Sequence, residues 1–181
     1  MDMYKLRFTV LQQEILRFLF IKVGMSFNER RIAKQLKVSP TAVSNSLKGL
    51  ERAGIITVSK DKESRRLSIE LNRENPNVFF LKRSENLRMI YESGLAEYLT
   101  QRIPAATIIL FGSFSFGEDT VNSDLDIAII GSKEKEINLE KFGRMLEREI
   151  SLHFYKSLKE IDKNMRENIL NGIVLKGSVE L

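Results

Sequence analysis

Residues 108–113 read Ile-Ile-Leu-Phe-Gly-Ser, and ten residues after Ser113 the chain continues Ser123-Asp124-Leu125-Asp126. The first stretch is apolar and predicts a buried strand that ends at Gly112. The second stretch opens another strand, over 124–130, whose two Asp residues lie two apart. Because such side chains project from one face of a strand, Asp124 and Asp126 are predicted to face the same way. Paired carboxylates of this kind can hold Mg²⁺, which itself binds nucleotide phosphates.

Gly112 and Ser113 suit the phosphate side of such a site. A glycine lets an anion approach the backbone closely, and Ser113 adds a hydroxyl donor. The amides at the start of a short following helix would point at the same anion. Ser123 is a further candidate for nucleotide binding. The alternative is a polar turn followed by an Asp pair at a strand edge, although a buried carboxylate pair without a cation would repel itself.

The order of these residues resembles that of the DNA polymerase β superfamily of nucleotidyltransferases, most of all the minimal, archaeal-type members found in archaea and bacteria. The resemblance covers residues 84–178 and includes the segment 169–175. It implies a mixed sheet with packed helices and in-line attack on the α-phosphate of a nucleoside triphosphate. Carried over, Gly112 and Ser113 hold the triphosphate, and Asp124 and Asp126 bind Mg²⁺ and are catalytic.

One departure from that family pattern lies on the strand predicted over 150–155. Members of the family usually place a third acid there, on the face opposite Ile150, Leu152 and Phe154. Here Ser151 and His153 occupy that face. His153 can accept a proton, ligate a metal or serve as a structural hydrogen-bonding group. Losing a general base typically costs on the order of 10²–10⁴ in rate.

The N-terminal half has a different organisation. Apolar spacing predicts helices over 7–23, from Asn28 to about 36, and from Ser39-Pro40 to about 53. Strands are predicted over 55–58 and 66–71, with a polar hairpin tip between them. Three helices followed by a two-stranded hairpin make a winged helix-turn-helix.

This half resembles the winged-helix repressors of the multiple-antibiotic-resistance type, over residues 5–72. The resemblance implies a third helix in the DNA major groove and a wing on the flanking backbone. Small polar side chains can reach base edges, and cationic side chains suit phosphates. The candidate DNA-binding residues are therefore Thr41, Ser44, Asn45, Lys48, Arg65 and Arg66. The alternative is a winged helix used for protein contacts or dimerisation.

Charge supports this division. Residues 1–82 carry 16 Lys and Arg against 8 Asp and Glu, a net charge of +8, whereas residues 83–181 carry 13 against 16, a net charge of −3. A basic half suits a polyanionic partner such as double-stranded DNA, and the alternative is an uneven solvated surface.

The expected fold class is therefore α+β. We expect a winged-helix DNA-binding domain over 1–76, a connector with a helix over 77–103, and an α/β nucleotidyltransferase-like domain with a mixed sheet over 104–181. The chain has no cysteine, which excludes disulfides and thiolate metal sites. No signal-peptide pattern or membrane span is predicted, so a cytoplasmic protein is expected. Because winged-helix regulators usually dimerise to match two half-sites of DNA, a homodimer is also expected.

Three functions stay open at this point. The first is a DNA-binding transcriptional regulator whose second domain binds Mg²⁺ and a nucleoside triphosphate as effector. The second is an active nucleotidyltransferase that modifies a toxin-type protein partner or a small molecule. The third is an interaction module with a dead site.

Overall fold

The computed structural model describes residues 7–60 and 67–179. The chain divides into two compact units, Met1–Val78 and Phe79–Leu181. The boundary between them falls inside the helix Pro76–Glu92, which starts in the first unit and ends in the second.

The N-terminal unit begins with three helices, namely α1 (Val10–Ile21), α2 (Glu29–Leu36) and α3 (Pro40–Arg52). Asn28 caps α2 by accepting a hydrogen bond from the Arg31 amide at 2.9 Å. Ser39 caps α3 in the same way, with Pro40 at the first helical position. Both predicted helix starts are therefore confirmed.

A two-stranded antiparallel hairpin follows, formed by β1 (Ile56–Lys60) and β2 (Leu67–Leu71). Phe27, ahead of α2, forms a bridge to Ile69 through backbone hydrogen bonds of 3.0 and 2.8 Å. This attaches the hairpin to the helices and completes a winged helix-turn-helix, as predicted. Arg65 and Arg66 lie outside the described residues.

The core of this unit is made by apolar side chains from every element. Each helix contributes a buried stripe at helical spacing, and the hairpin contributes its inner face, as in Ile15, Leu19, Ile32, Val43, Leu47, Leu50, Ile55 and Ile69. The rings of Phe18 and Phe27 meet edge to face at 4.7 Å. Because α3 turns Val43, Leu47 and Leu50 inward, its other side is left to solvent.

Two helices link the winged helix to the sheet of the second unit: α4 (Pro76–Glu92) and α5 (Leu95–Arg102). A connector with a single helix is expected over 77–103, whereas the structure has two helices here and the first begins at Pro76. Pro76 opens α4 because proline suits the first turn of a helix. Gly94, at φ +76°, separates α4 from α5 in a left-handed conformation that glycine adopts without strain.

The second unit is built on a four-stranded sheet in the order β5-β4-β3-β6, with β3 (Thr107–Phe111), β4 (Leu125–Ile130), β5 (Ile150–Tyr155) and β6 (Ile173–Lys176). β3 runs antiparallel to both β4 and β6, whereas β4 and β5 are parallel. The predicted mixed sheet is thus confirmed. Its remaining elements are α6 (Gly112–Phe116), α7 (Glu140–Leu146), a 3₁₀ turn (Leu158–Glu160) and α8 (Lys163–Leu170).

One face of this sheet packs against α8 and the 3₁₀ turn through the cluster Ile109, Phe111, Ala128, Leu158, Ile161 and Ile169. Strand alternation puts Asp126, Ser151 and His153 on this same face. The prediction that Ile150, Leu152 and Phe154 form the core face of β5 is not met. Since β5 is an edge strand, all six of its residues are only half-buried.

The turn from α8 into β6 depends on Gly172. A Cβ at this position would lie 3.0 Å from the Ile169 carbonyl oxygen and 3.1 Å from Ile109 Cγ2. Only glycine therefore lets the segment 169–175 close against β3. No helix of the described residues is long and apolar enough to cross a membrane.

Candidate functional site

Asp126 lies at the centre of the candidate nucleotide site. Its position in β4 is paired with Phe111 on β3 and with Ser151 on β5. Three neighbouring strands therefore converge on this carboxylate, whose side chain is 30% exposed. The strand fixes its backbone while the side chain still reaches solvent.

Gly112 sits directly against this carboxylate. A Cβ at this position would lie 2.9 Å from Asp126 Oδ2, and the backbone has φ +70°. Both the close approach and the left-handed conformation require glycine. The Gly-Ser turn and the Asp-x-Asp strand, which the sequence places apart, are thus in direct contact.

His153 approaches Asp126 from β5. Its Nε2 atom lies 3.0 Å from Asp126 Oδ1, and its ring meets the Phe111 ring edge to face at 5.3 Å. Ser151 is level with Asp126 in the strand register, yet the imidazole makes the contact. Of the two residues predicted in place of the third acid, His153 is the one that touches a carboxylate of the site.

The other predicted residues have different surroundings. Asp124 precedes β4 and is exposed, and Ser113 is half-buried in α6. Ser123 uses its hydroxyl within the loop, where Oγ accepts a hydrogen bond from the Thr120 amide at 2.9 Å. Glu149 is exposed at the rim, just before β5.

A divalent cation fits this donor set only in part. Two carboxylates are the ligands that Mg²⁺ prefers, whereas an imidazole is more usual for transition metals. Among residues 7–60 and 67–179, no three His, Asp or Glu side chains are grouped as metal ligands. Asp124 and Asp126 would hold the cation, and His153 would orient the Asp126 carboxylate.

A buried polar cluster holds the loop between α6 and β4. Asp119 of this loop forms an ion pair with Lys82, and it accepts hydrogen bonds from Asn86 Nδ2 at 2.8 Å and from an Arg148 guanidinium nitrogen at 3.0 Å. The side chains of Lys82, Asp119 and Arg148 are at most 2% exposed. Asn86 also donates to the Phe114 carbonyl at 2.8 Å.

The sequence interpretation did not anticipate this cluster. It treated Asp119 as part of a polar loop and Lys82 as part of a connector. The available signal was the pair Lys82 and Asn86, four apart on one helix face that otherwise carries apolar residues. The cluster ties α4, the α6–β4 loop and the start of β5 together, and so fixes the spacing between Gly112 and Asp124.

Tyr155, on the same sheet face, keeps its proton at neutral pH. Burial, and then the negative charge of Asp162, raise the pKa of the Tyr155 phenol above its usual value of 10.0. It therefore contributes a neutral phenol to the core cluster and no charge to the site.

Four of the six candidate DNA-binding residues lie together on α3, and the other two, Arg65 and Arg66, are outside the described residues. Thr41, Asn45 and Lys48 are exposed, and Ser44 is half-buried. Their spacing puts them along the solvent side of the helix. The interaction of Gln12 Nε2 with the Ser46 carbonyl at 3.1 Å attaches this helix to α1.

Two family models match the chain. Residues 94–180 match the family described as "Polymerase beta, Nucleotidyltransferase", and residues 8–68 match the MarR family. The chain thus joins a MarR-like winged helix to a nucleotidyltransferase-like domain. Together with the mixed sheet and the contact of Gly112 with Asp126, these matches confirm both resemblances. The nucleotidyltransferase domain retains the Gly-Ser turn and the carboxylate pair, and has His153 beside them.

Similar solved structures are bacterial regulators. They include the adhesin competence repressor AdcR of Streptococcus pyogenes, at 21% identity over 52% of this chain and 67% of that chain, with a TM-score of 0.42. ZitR of Lactococcus lactis shares 24% identity over 54% of this chain and 64% of its own length, with a TM-score of 0.40. MepR of Staphylococcus aureus, solved in complex with DNA, shares 25% identity over 54% of this chain and 80% of its own length, with a TM-score of 0.40.

This chain therefore spans about two thirds of the length of the first two regulators. At these TM-scores the likenesses carry no argument about function. A comparison with curated proteins gave no match.

We expect Asp119→Ala to destabilise the protein, because it leaves Lys82 and Arg148 as buried charges without their carboxylate. Breaking a buried pair of this kind typically costs about 3–5 kcal/mol. Urea unfolding followed by far-UV circular dichroism measures the loss. The control is Glu118→Ala, an exposed neighbour whose change should stay within about 0.5 kcal/mol. A loss no larger than that of the control would show that the cluster does not hold the loop.

Proposed function

We propose that this protein is a DNA-binding transcriptional regulator whose nucleotidyltransferase domain binds a divalent cation with a nucleoside triphosphate as effector. The observation that carries the proposal is the contact of Gly112 with Asp126, in a chain that also has a MarR-type winged helix. The two units carry opposite net charge, which suits one polyanionic and one small-molecule partner.

The exposed face of α3 supports the DNA-binding part. Thr41 and Asn45 are short polar side chains that can reach base edges, and Lys48 suits a phosphate. Winged-helix regulators read two half-sites as dimers, so the proposed DNA-binding species is a homodimer.

The site around Asp126 supports the nucleotide part. The backbone at Gly112 packs directly against the Asp126 carboxylate, and the exposed Asp124 lies two residues before Asp126. A bound cation would neutralise the carboxylates and attach the triphosphate. The residues present offer an oxygen-rich, half-exposed site that is open to solvent, as a reversible effector requires.

A second candidate function is slow nucleotidyl transfer to a toxin-type protein or a small molecule. The contact between His153 and Asp126 favours it, since an imidazole held at this position can accept a proton or orient the carboxylate. Nothing in the described residues selects a base or an acceptor.

For DNA binding, Asn45→Ala and Lys48→Gln should have different effects. Asn45→Ala should lower affinity for the cognate site by about 1–3 kcal/mol and leave non-specific binding almost unchanged. Lys48→Gln should weaken binding to all duplexes and reduce the salt dependence by about one unit of slope. Fluorescence anisotropy with the DNA upstream of the protein's own gene measures both effects.

The charge-matched control is Lys133→Gln, an exposed residue of the other unit, which should change neither quantity. If the unmodified protein has no salt-dependent affinity for that DNA, the regulator function is rejected.

For nucleotide binding, Asp126→Asn should weaken Mg²⁺-dependent binding of a non-hydrolysable triphosphate by at least about tenfold, or about 1.4 kcal/mol. Asp124→Asn should act in the same direction, because each change removes one carboxylate ligand. Isothermal titration calorimetry with analogues of all four common nucleotides measures this. Glu118→Gln, which removes an exposed acid from the loop that precedes β4, is the matched control. Binding that is equal in all variants would place the nucleotide elsewhere.

For transfer, label from an α-phosphate-labelled triphosphate should appear on an acceptor in a lysate of the host and be abolished by Asp126→Asn. His153→Ala should lower the rate on the order of 10²–10⁴ if the imidazole acts as the base. His153→Asp, which restores the acid usual in the family, should retain or raise the rate of transfer. Transfer that is unaffected by His153→Ala would reject the role of the imidazole, and no label transfer at all would leave the effector function as the better account.

A further inference from the structure

A cavity of about 850 Å³ lies in the second unit, away from the candidate nucleotide site. Ile130 and Gly131, at the end of β4, line it, whereas Asp126 is near the start of that strand. Ile130 lies four positions after Asp126 along β4, which corresponds to a separation of roughly 13 Å. The cavity and the carboxylate site therefore share a sheet face but lie at opposite ends of it.

The lining of this cavity combines cations with an apolar floor. Lys156 follows β5, Lys159 belongs to the 3₁₀ turn, and Arg166 lies on α8, so three elements each supply one positive charge. Ile109 and Ile130 form part of the floor and belong to, or pack on, the core cluster. Among the described residues, the lining includes no Asp or Glu.

Within the residues that the structure describes, none of Lys156, Lys159 and Arg166 forms an ion pair with a carboxylate. The acids nearest to these cations in the sequence are Asp162 and Glu160. The Asp162 carboxylate accepts a hydrogen bond from the Met165 amide at 3.1 Å. Glu160 lines a separate depression, which Lys156 also lines. Three like charges around one cavity repel one another, and a bound anion relieves that repulsion.

The wall of the cavity is packed against the sheet. Thr107 Oγ1 donates a hydrogen bond to the Ser178 carbonyl at 2.8 Å. A Cβ at Gly177, where φ is +86°, would lie 2.6 Å from Thr107 Oγ1 and 2.9 Å from Thr107 Cα. The segment that carries Ser178 and Val179 is thus held against β3 by a close approach that only glycine permits.

We propose that this cavity binds a small amphipathic organic phosphate, with its apolar part on the isoleucine floor and its phosphate between Lys159 and Arg166. The volume is that of a typical small-molecule site, and guanidinium binds phosphate through two parallel hydrogen bonds. The proposal does not rest on nucleotide binding at Asp126, which is a separate site.

Calorimetric titration of the full chain with 1-naphthyl phosphate tests this ligand class. We expect saturable one-to-one binding, weakened at least about tenfold by Arg166→Gln or Lys159→Gln, since each change removes a charged hydrogen-bond donor to the phosphate. Lys163→Gln is the matched control, because this residue lies on the same helix but does not line the cavity. Inorganic phosphate should compete, and neutral 1-naphthol should bind at least about tenfold more weakly.

Asp126→Asn separates the two proposals, because it should leave 1-naphthyl phosphate binding unchanged. Binding that is lost in Asp126→Asn but kept in Arg166→Gln would place the ligand at the carboxylate site and overturn the inference. Equal affinity for 1-naphthol would overturn the role of the cations. An absence of saturable binding at millimolar concentration would overturn the proposal altogether.

Discussion

The ion pair of Asp119 with Lys82, supported by Arg148 and Asn86, is the interaction on which the candidate site depends. The loop that it holds joins the Gly-Ser turn of α6 to the strand that carries Asp126. A buried carboxylate needs partners, and here they come from distant parts of the sequence. The loop therefore cannot relax without exposing charges to an apolar interior, so the two halves of the site keep their relative positions.

Two neighbouring residues also fix the orientation of the Asp126 carboxylate. Gly112 lies against one carboxylate oxygen and the His153 imidazole lies 3.0 Å from the other. The carboxylate is thus oriented by the protein alone, and orientation of this kind is what a metal or phosphate site requires. An imidazole at this position gives the site less negative charge than a third carboxylate would, which agrees with the proposed role of the site in binding rather than in rapid transfer.

The same sheet face offers two chemically different ends. One end carries the Asp124 and Asp126 carboxylates, and at the other end three cations surround a cavity with an apolar floor. The core cluster between them, which includes Ala128 and Ile169, consists of buried apolar side chains. If both proposed ligands bind, this separation lets each be recognised without disturbing the charges of the other site.

The sequence by itself determined the winged helix and the two strands that carry the Gly-Ser turn and Asp126. These follow from apolar periodicity, capping residues and local spacing, all of which act over a few residues. The mixed sheet is what the resemblance to the polymerase β superfamily implies, and the contact of Gly112 with Asp126 belongs to the tertiary structure. Only the tertiary structure decided which of Ser151 and His153 meets Asp126, that β5 is a half-buried edge strand, and that Asp119, Lys82 and Arg148 share one buried cluster. The physical reason is that strand order and side-chain contacts between residues far apart in the chain leave no periodic signal in it.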